Sequence, residues 1–261
     1  MSAPPLRAKK KLGQHFLVDE NLLGVIGRLA RLAPDDGVLE IGSGLGVLTA
    51  YLAKRVAHVD TVELDRGLEQ HLRERFAGSE NVSLHFGDAM ALDLAALAPA
   101  AAKLVANLPY NIATPLVVES LDGLPRIELW CVMVQREVAD RFFASPGTKA
   151  YGAVSVLVRL AAERTGFHAV SREVFRPRPR VESALVAFER RPLPKNFERI
   201  KRVVAAAFAH RRKTLANSLA LSGLATRERA EEALVQIDRD LRSRAEALAP
   251  EEFVALTEAL S

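Results

Sequence analysis

The chain has 261 residues, of which 49% are hydrophobic and 26% charged, a composition that excludes a disordered protein and suits one large domain or an ordinary one with an appendage. No apolar run approaches the roughly 20 residues needed to cross a bilayer, and the basic amino terminus lacks the apolar stretch of a secretory signal, so a cytoplasmic protein without a membrane partner is expected. Cys131 is the only cysteine, which excludes an internal disulfide and a Cys-based zinc site, and no metal is expected.

In chain order, Asp19 is a good N-cap for a helix over 19–32. From Gly37 onward, apolar strand-like runs alternate with amphipathic ones, which predicts a parallel sheet flanked by helices. Strands are expected at Gly37–Ile41, His58–Glu63, Val82–Phe86, 103–106 and 127–134, with helices at 45–56 and 66–76. Cys131 falls inside the last of these strands, as a core residue rather than a nucleophile. Beyond Gln135 the pattern loosens: 151–160 reads as helix, 166–170 as extended, and 181–189 as an edge strand. The Pro-rich stretch Phe175-Arg176-Pro177-Arg178-Pro179-Arg180 cannot be helical. Arg191-Pro192-Leu193-Pro194 resembles a linker, and purely helical patterns follow at 197–208, 211–221, 226–234 and 250–260. The expected organisation is an α/β domain over 1–190 and a small all-α C-terminal domain over 191–261.

The net charge of +4 is unevenly placed. Arg7, Lys9, Lys10 and Lys11 precede Phe16 with no acid among them. Between Arg172 and Lys213 there are thirteen basic residues against four acids, and beyond Leu224 the balance turns acidic. Such segments are either solvated faces or the footprint of a polyanion partner.

Asn107-Leu108-Pro109-Tyr110 follows the apolar run Leu104-Val105-Ala106, at the strand edge where open α/β sheets bind ligands. The Asn amide oxygen and a neighbouring carbonyl can accept hydrogen bonds. Pro109 pushes Leu108 toward an extended conformation, and Tyr110 offers a flat face for a base. Taken alone, the stretch is equally a strand-to-helix turn.

Three earlier strand ends bear on that choice. Glu40-Ile41-Gly42-Ser43-Gly44-Leu45-Gly46 closes the first strand with glycines that permit tight turning and close approach to a ligand. Its spacing is not that of the dinucleotide fingerprint G-x-G-x-x-G. Glu63 ends the second strand, where a carboxylate can take both hydroxyls of a ribose. Asp88 follows the third strand, where it can accept from an adenine amino group. Either acid alone reads as a turn or cap; together with the glycine loop they describe an adenosine-containing cofactor. NAD and S-adenosyl-L-methionine both qualify. No hydride-acceptor pocket is apparent, whereas a methyltransferase needs only a nucleophile aimed at a methyl group, which the tetrapeptide can hold.

With these stretches in place, the chain resembles the KsgA-type small-subunit rRNA adenine dimethyltransferases over nearly its whole length. The resemblance is carried by Lys11-Leu12-Gly13-Gln14-His15-Phe16-Leu17, the glycine loop, Glu63-Leu64-Asp65, Gly87-Asp88-Ala89, the tetrapeptide, Lys149-Ala150-Tyr151-Gly152 and the segment from Phe175 to Ser183. It is strongest in Phe208-Ala209-His210-Arg211-Arg212-Lys213-Thr214-Leu215-Ala216-Asn217-Ser218-Leu219. His15 and Ser43 stand where many relatives have Asn and Pro, so a His15 contact runs through either its side chain or its backbone.

The resemblance implies a Rossmann-like class I methyltransferase domain that uses S-adenosyl-L-methionine. His15, Leu17, Gly42, Gly44, Glu63, Asp88 and Asn107 are the implied cofactor contacts. Asn107 and Leu108 would hold the target amine and Tyr110 would stack the base. Phe175 would close over that base from the other side, unless it is a core Phe at a loop start. Arg176, Arg178, Arg180, Arg211, Arg212 and Lys213 are candidate phosphate contacts. The last three could instead cap a helix or pair with the acidic tail. The implied reaction is dimethylation of two adjacent adenosines in a hairpin loop near the 3′ end of 16S (small-subunit) rRNA, by a monomer acting within a pre-30S particle. The rival readings are a large-subunit rRNA adenine methyltransferase conferring antibiotic resistance, a ribosome assembly factor for which methylation is secondary, and a nicotinamide-dependent oxidoreductase.

Overall fold

The computed structural model describes residues 9, 14–17 and 19–261. The expectations for Arg7, Lys10 and the Lys11-Leu12-Gly13 part of the amino-terminal motif lie outside them. Nine strands and eleven α-helices are assigned among the described residues, besides short 3-10 turns. The strands are β1 (Phe16–Leu17), β2 (Gly37–Ile41), β3 (His58–Glu63), β4 (Val82–Phe86), β5 (Lys103–Asn107), β6 (Leu129–Gln135), β7 (Ala162–Val170), β8 (Phe175–Arg176) and β9 (Ser183–Arg190). The helices are α1 (Glu20–Leu29), α2 (Val47–Ala53), α3 (Glu69–Arg75), α4 (Leu94–Leu97), α5 (Ala113–Gly123), α6 (Arg136–Phe142), α7 (Ala153–Ala161), α8 (Phe197–Ala209), α9 (Leu215–Leu221), α10 (Arg227–Gln236) and α11 (Pro250–Ala259).

Seven strands form one sheet in the order β4-β3-β2-β5-β6-β9-β7. β2 pairs in parallel with β3 and with β5, β3 with β4, and β5 with β6, while β9 runs antiparallel to β6. The chain moves outward from β2 through β3 to β4, then returns to place β5 on the other side of β2. That reversal opens a crevice beyond the carboxyl ends of β2 and β5, the usual ligand site of an open α/β sheet. The edge is therefore lined by the loop after Ile41, by Glu63, by the turn after Phe86 and by Asn107.

The chain divides into two compact units. The first takes residues up to Ala139 together with Arg164–Arg190, and the second takes Asp140–Glu163 and Arg191–Ser261. The linear division at residue 190 leaves 140–163 with the sheet. Packing groups them with the helices instead, and Tyr151 shows why. Its ring is fully buried, edge-on to Phe208, which stacks on Phe253, and its hydroxyl donates to the Leu248 carbonyl at 2.7 Å.

In the first unit, Asp19 caps α1 by accepting from the Leu22 N–H at 3.0 Å, as its position predicts. Leu22, Leu23 and Ile26 on α1 pack with Val38, Val59, Val105, Cys131 and Met133 of the strands. Burial pushes the Cys131 thiol up to about 12, so it behaves as a small apolar core residue. At the end of β9, Arg190 donates to the carbonyls of Leu121, Leu124 and Ile127 and lies over the Trp130 ring. One guanidinium thereby satisfies orphaned carbonyls at and beyond the C-terminus of α5, where a cation also complements the helix dipole.

Several elements differ from the sequence pattern. Helices α5 and α6 form where no element was expected, and β7 extends four residues earlier than the expected strand. The helix expected over 211–221 begins only at Leu215, after a turn closed by the Lys213 N–H on the His210 carbonyl. Arg211, Arg212 and Lys213 consequently sit in an exposed connection.

Candidate active site

The loop from β2 into α2 carries three glycines with positive φ: Gly42 at +86°, Gly44 at +54° and Gly46 at +75°. This backbone is strained for any residue with a side chain. A Cβ on Gly44 would lie 3.1 Å from the Phe16 ring, and one on Gly42 would lie 3.4 Å from Pro109. The glycines thus let the loop pass beneath the amino-terminal strand β1 and beside the tetrapeptide.

Glu63 closes against this loop from β3. One of its carboxylate oxygens accepts from the Gly44 N–H at 2.8 Å and the other from the Asp65 N–H at 2.8 Å. Burial outweighs these two bonds and raises its pKa. Asp88 lies at the far wall, exposed, with one oxygen accepting from the Met90 N–H at 2.9 Å.

At the end of β5 the side chain of Asn107 donates from Nδ2 to the His15 carbonyl at 3.1 Å. A carbonyl can only accept, so the amide orientation is set, and Oδ1 is the acceptor left for a ligand. Leu108 donates its N–H to Met133 at 3.0 Å, which prolongs the strand pairing while its side chain is buried. Its own carbonyl takes no donor among the described residues. The Tyr110 hydroxyl lies 2.7 Å from Ser183 Oγ, and its ring is 5.4 Å from the His15 ring at a tilt of 31°. His15 Nδ1 lies 2.7 Å from the Pro177 carbonyl, which requires the proton on that nitrogen. β1 also pairs with β8, Leu17 opposite Phe175.

One pocket is lined by His15, Leu17, Gly42, Gly44, Glu63, Asp88, Asn107, Leu108 and Tyr110. The structure therefore brings together every candidate cofactor residue and three of the four candidate catalytic ones. Phe175 is the exception. Its side chain is fully buried in the core with Leu17, Leu22 and Leu185, and it does not line the pocket. Its place in this structure is that of the alternative, a core Phe at a loop start, on the strand pair that sets Leu17 opposite Phe175.

The basic candidates lie away from the pocket lining. Arg176 donates to the carbonyls of Glu173 and Phe175, Arg178 pairs with Glu173 at 2.7 Å, and Arg180 is exposed. In the second unit Arg211 sits 3.6 Å from Glu246, an acid of the tail, while Arg212 and Lys213 are exposed.

Two further acids were not singled out by the sequence, Glu40 in the pocket lining and Asp65 just beyond it. Glu40 is fully buried on β2, and one of its oxygens accepts from the hydroxyls of Thr49 at 2.6 Å and Thr61 at 2.7 Å. Its other oxygen, Oε1, has no partner among the described residues. Burial raises its pKa to about 7. An acid in an otherwise apolar strand was the available signal, since such a group is costly to bury without a purpose. The second is Asp65, which accepts from Lys9 at 2.6 Å and Gln14 at 3.0 Å. Burial acts to raise its pKa, but these donors and the Gly67 N–H bring it below the usual range. The amino-terminal segment is thus tied to the β3 end of the site.

Comparison with known proteins adds an independent line. The family model described as ribosomal RNA adenine dimethylase matches residues 6–260. Similar curated proteins include the ribosomal RNA small subunit methyltransferase A of Rubrobacter xylanophilus, 47% identical over 256 residues, covering 98% of this chain and 96% of the relative. That of Thermosynechococcus vestitus is 44% identical over 263 residues, with 98% and 97% covered. Among solved structures, a dimethyladenosine transferase from Plasmodium falciparum superimposes with a TM-score of 0.76 at 24% identity, covering 93% of this chain and 96% of that one. The 23S rRNA methyltransferase ErmE gives 0.66 at 28% identity, covering 94% and 99%. The shared fold is the Rossmann-like class I methyltransferase sheet, with a helical C-terminal region.

Proposed function

This chain belongs to the ribosomal RNA adenine dimethylase family, and from that premise we propose that it dimethylates two adjacent adenosines in a hairpin loop near the 3′ end of 16S (small-subunit) rRNA. It is an S-adenosyl-L-methionine-dependent methyltransferase whose substrate is rRNA. Its particle is a pre-30S assembly intermediate, on which it acts as a cytoplasmic monomer. The observation that carries the reading is the Asn107 amide. Its NH2 is committed to His15, so Oδ1 and the Leu108 carbonyl remain as two acceptors in the pocket that holds Glu63 and the glycine loop.

The pocket fits the cofactor. The positive-φ glycines leave room where side chains would crowd, Glu63 suits a ribose diol, Asp88 suits an adenine amine, and the unpartnered Glu40 oxygen suits an ammonium group. His15 and Leu17 complete the wall beside Gly42 and Gly44. When bound, the cofactor supplies an electrophilic methyl group on a sulfonium.

The protein's task is to present the amine. The exocyclic nitrogen of adenine is a weak nucleophile because its lone pair is delocalised into the ring. Two acceptors that engage its N–H bonds favour a pyramidal nitrogen with the lone pair directed outward, each bond worth about 1 kcal/mol net in the bound state and more as it strengthens in the transition state. Tyr110 supplies a stacking face worth roughly 1–3 kcal/mol. The neutral amine attacks first and loses its proton afterward, so no residue need act as a base beforehand. Most of the acceleration is proximity and orientation. The base reaches the pocket unstacked from its helix.

The reading is tested by labelled methyl transfer to small subunits lacking the modification, compared with free rRNA and large subunits. Label on two adjacent small-subunit adenosines, each dimethylated, is the expected result. Label on large subunits would favour the rival target. Arg176, Arg178, Arg180, Arg211, Arg212 and Lys213 are assigned to phosphate contacts. Neutralising Arg211, Arg212 and Lys213 together should weaken RNA binding and flatten its salt dependence while sparing cofactor binding. The log–log slope should fall by about 0.7–0.9 for each phosphate that no longer meets a cation. An unchanged slope removes these three from the interface.

A further inference from the structure

Ser183 opens β9 opposite Gln135 of β6 and is 1% exposed. Residues 183–188 are all buried, and Ser183 is the only one of them with a hydroxyl. A buried hydroxyl is costly unless it is hydrogen-bonded, and this one lies 2.7 Å from the Tyr110 hydroxyl. The two groups satisfy each other across 73 residues of sequence. Burial raises the Tyr110 phenol above its ordinary pKa, so it stays a neutral hydroxyl, and either group can donate in the pair.

The bond acts on the orientation of a ring. Pro109 restrains the backbone on one side of Tyr110, and the His15 ring, itself anchored to the Pro177 carbonyl, rests against the aromatic face at 5.4 Å. Without Ser183 the hydroxyl end of the ring would lose its hydrogen-bond partner among the described residues. A base that stacks on this ring inherits its tilt, and that tilt sets the direction from which the amine meets the methyl group. Small errors of placement at a reacting centre are costly in rate.

We propose that Ser183 is a positioning residue for the transfer, fixing through the Tyr110 hydroxyl the plane on which the target base stacks. The inference rests on the role of Tyr110 given above.

The test compares Ser183→Ala, Tyr110→Phe and the double variant in the full chain. The readouts are methyl transfer to unmodified small subunits, S-adenosyl-L-methionine affinity by calorimetry, and thermal midpoint. Each single variant should lower kcat about fivefold, the scale of one hydrogen bond, with cofactor affinity unchanged. The double variant should be no slower than the slower single one, because both remove the same bond. Ser183→Thr, which keeps the hydroxyl, should recover most of the rate. Losses that multiply in the double variant, or a parallel loss of cofactor affinity in Ser183→Ala, would overturn the proposal in favour of a merely structural serine. Transfer that Ser183→Ala leaves unchanged overturns this inference alone. Failure of the unsubstituted chain to label small subunits overturns the proposed function, and this inference with it.

Discussion

Asn107→Ala is expected to lower kcat for methyl transfer by about two orders of magnitude, the scale seen when one preorganised polar group at a reacting centre is removed. The substitution deletes Oδ1, one of the two acceptors proposed for the adenine amine, and Nδ2, which donates to the His15 carbonyl. Losing the first lowers kcat; losing the second loosens β1 over the pocket and raises the cofactor KM. Asn107→Asp separates the two. It keeps an acceptor oxygen but sets a carboxylate against the His15 carbonyl, so cofactor affinity should fall further than in Asn107→Ala. Equal cofactor affinity in the two variants would show that the His15 bond does not hold the segment. The Ala variant also tests the assembly-factor reading: normal small-subunit maturation without methylation would place the biology in binding.

Glu40→Gln should weaken cofactor binding strongly above pH 7 and little at pH 6. With a pKa of about 7, the wild-type carboxyl is largely protonated at pH 6 and ionised at pH 8. Only the ionised form offers a cation a charge-assisted bond, worth about 1.5–3 kcal/mol or roughly tenfold to a hundredfold in affinity. Wild-type affinity should therefore climb as pH rises through 7, while that of Glu40→Gln stays flat. Stability follows the opposite trend. The folded-state pKa lies above the ordinary glutamate value of 4.5, so the folded protein binds more protons than the unfolded chain between those values. That contribution is fully present below about pH 4.5 and lost as pH rises through 7, a swing on the order of 3 kcal/mol. Glu40→Gln cannot ionise and should lack this part of the pH dependence. Calorimetric titrations and urea unfolding at pH 6 and pH 8 check both trends. Wild-type-like affinity of the variant at pH 8 would remove Glu40 from the site.

The candidate site was legible to the extent that its residues are strand ends. Gly42, Glu63, Asp88 and Asn107 each end or closely follow a strand-like run, and parallel strands in a wound sheet must present such ends along one edge. Local pattern was weaker where competing signals met. Ala113–Gly123 carries Pro115 and adjacent valines, which argue against helix, yet Pro115 falls in the first turn, where its missing N–H costs nothing. The run Arg211-Arg212-Lys213 looked helical by continuity with Leu215–Leu221, but the turn at His210 leaves it in a loop.

The residue types alone sufficed for an α/β chain with a glycine loop, two acids and an Asn-Leu-Pro-Tyr stretch at successive strand ends, because each depends on neighbours a few positions away. Contacts between distant elements decided the rest. Phe175 is in the core where β8 pairs with β1, Glu40 has a raised pKa because the fold buries it, although Thr49 and Thr61 both donate to one of its oxygens, and Tyr110 is pinned by a serine on β9. Residues 140–163 belong with the helices because Tyr151 reaches Phe208 and Leu248. A side chain's facing and the dielectric around it are properties of what folds against it, and no local periodicity encodes them.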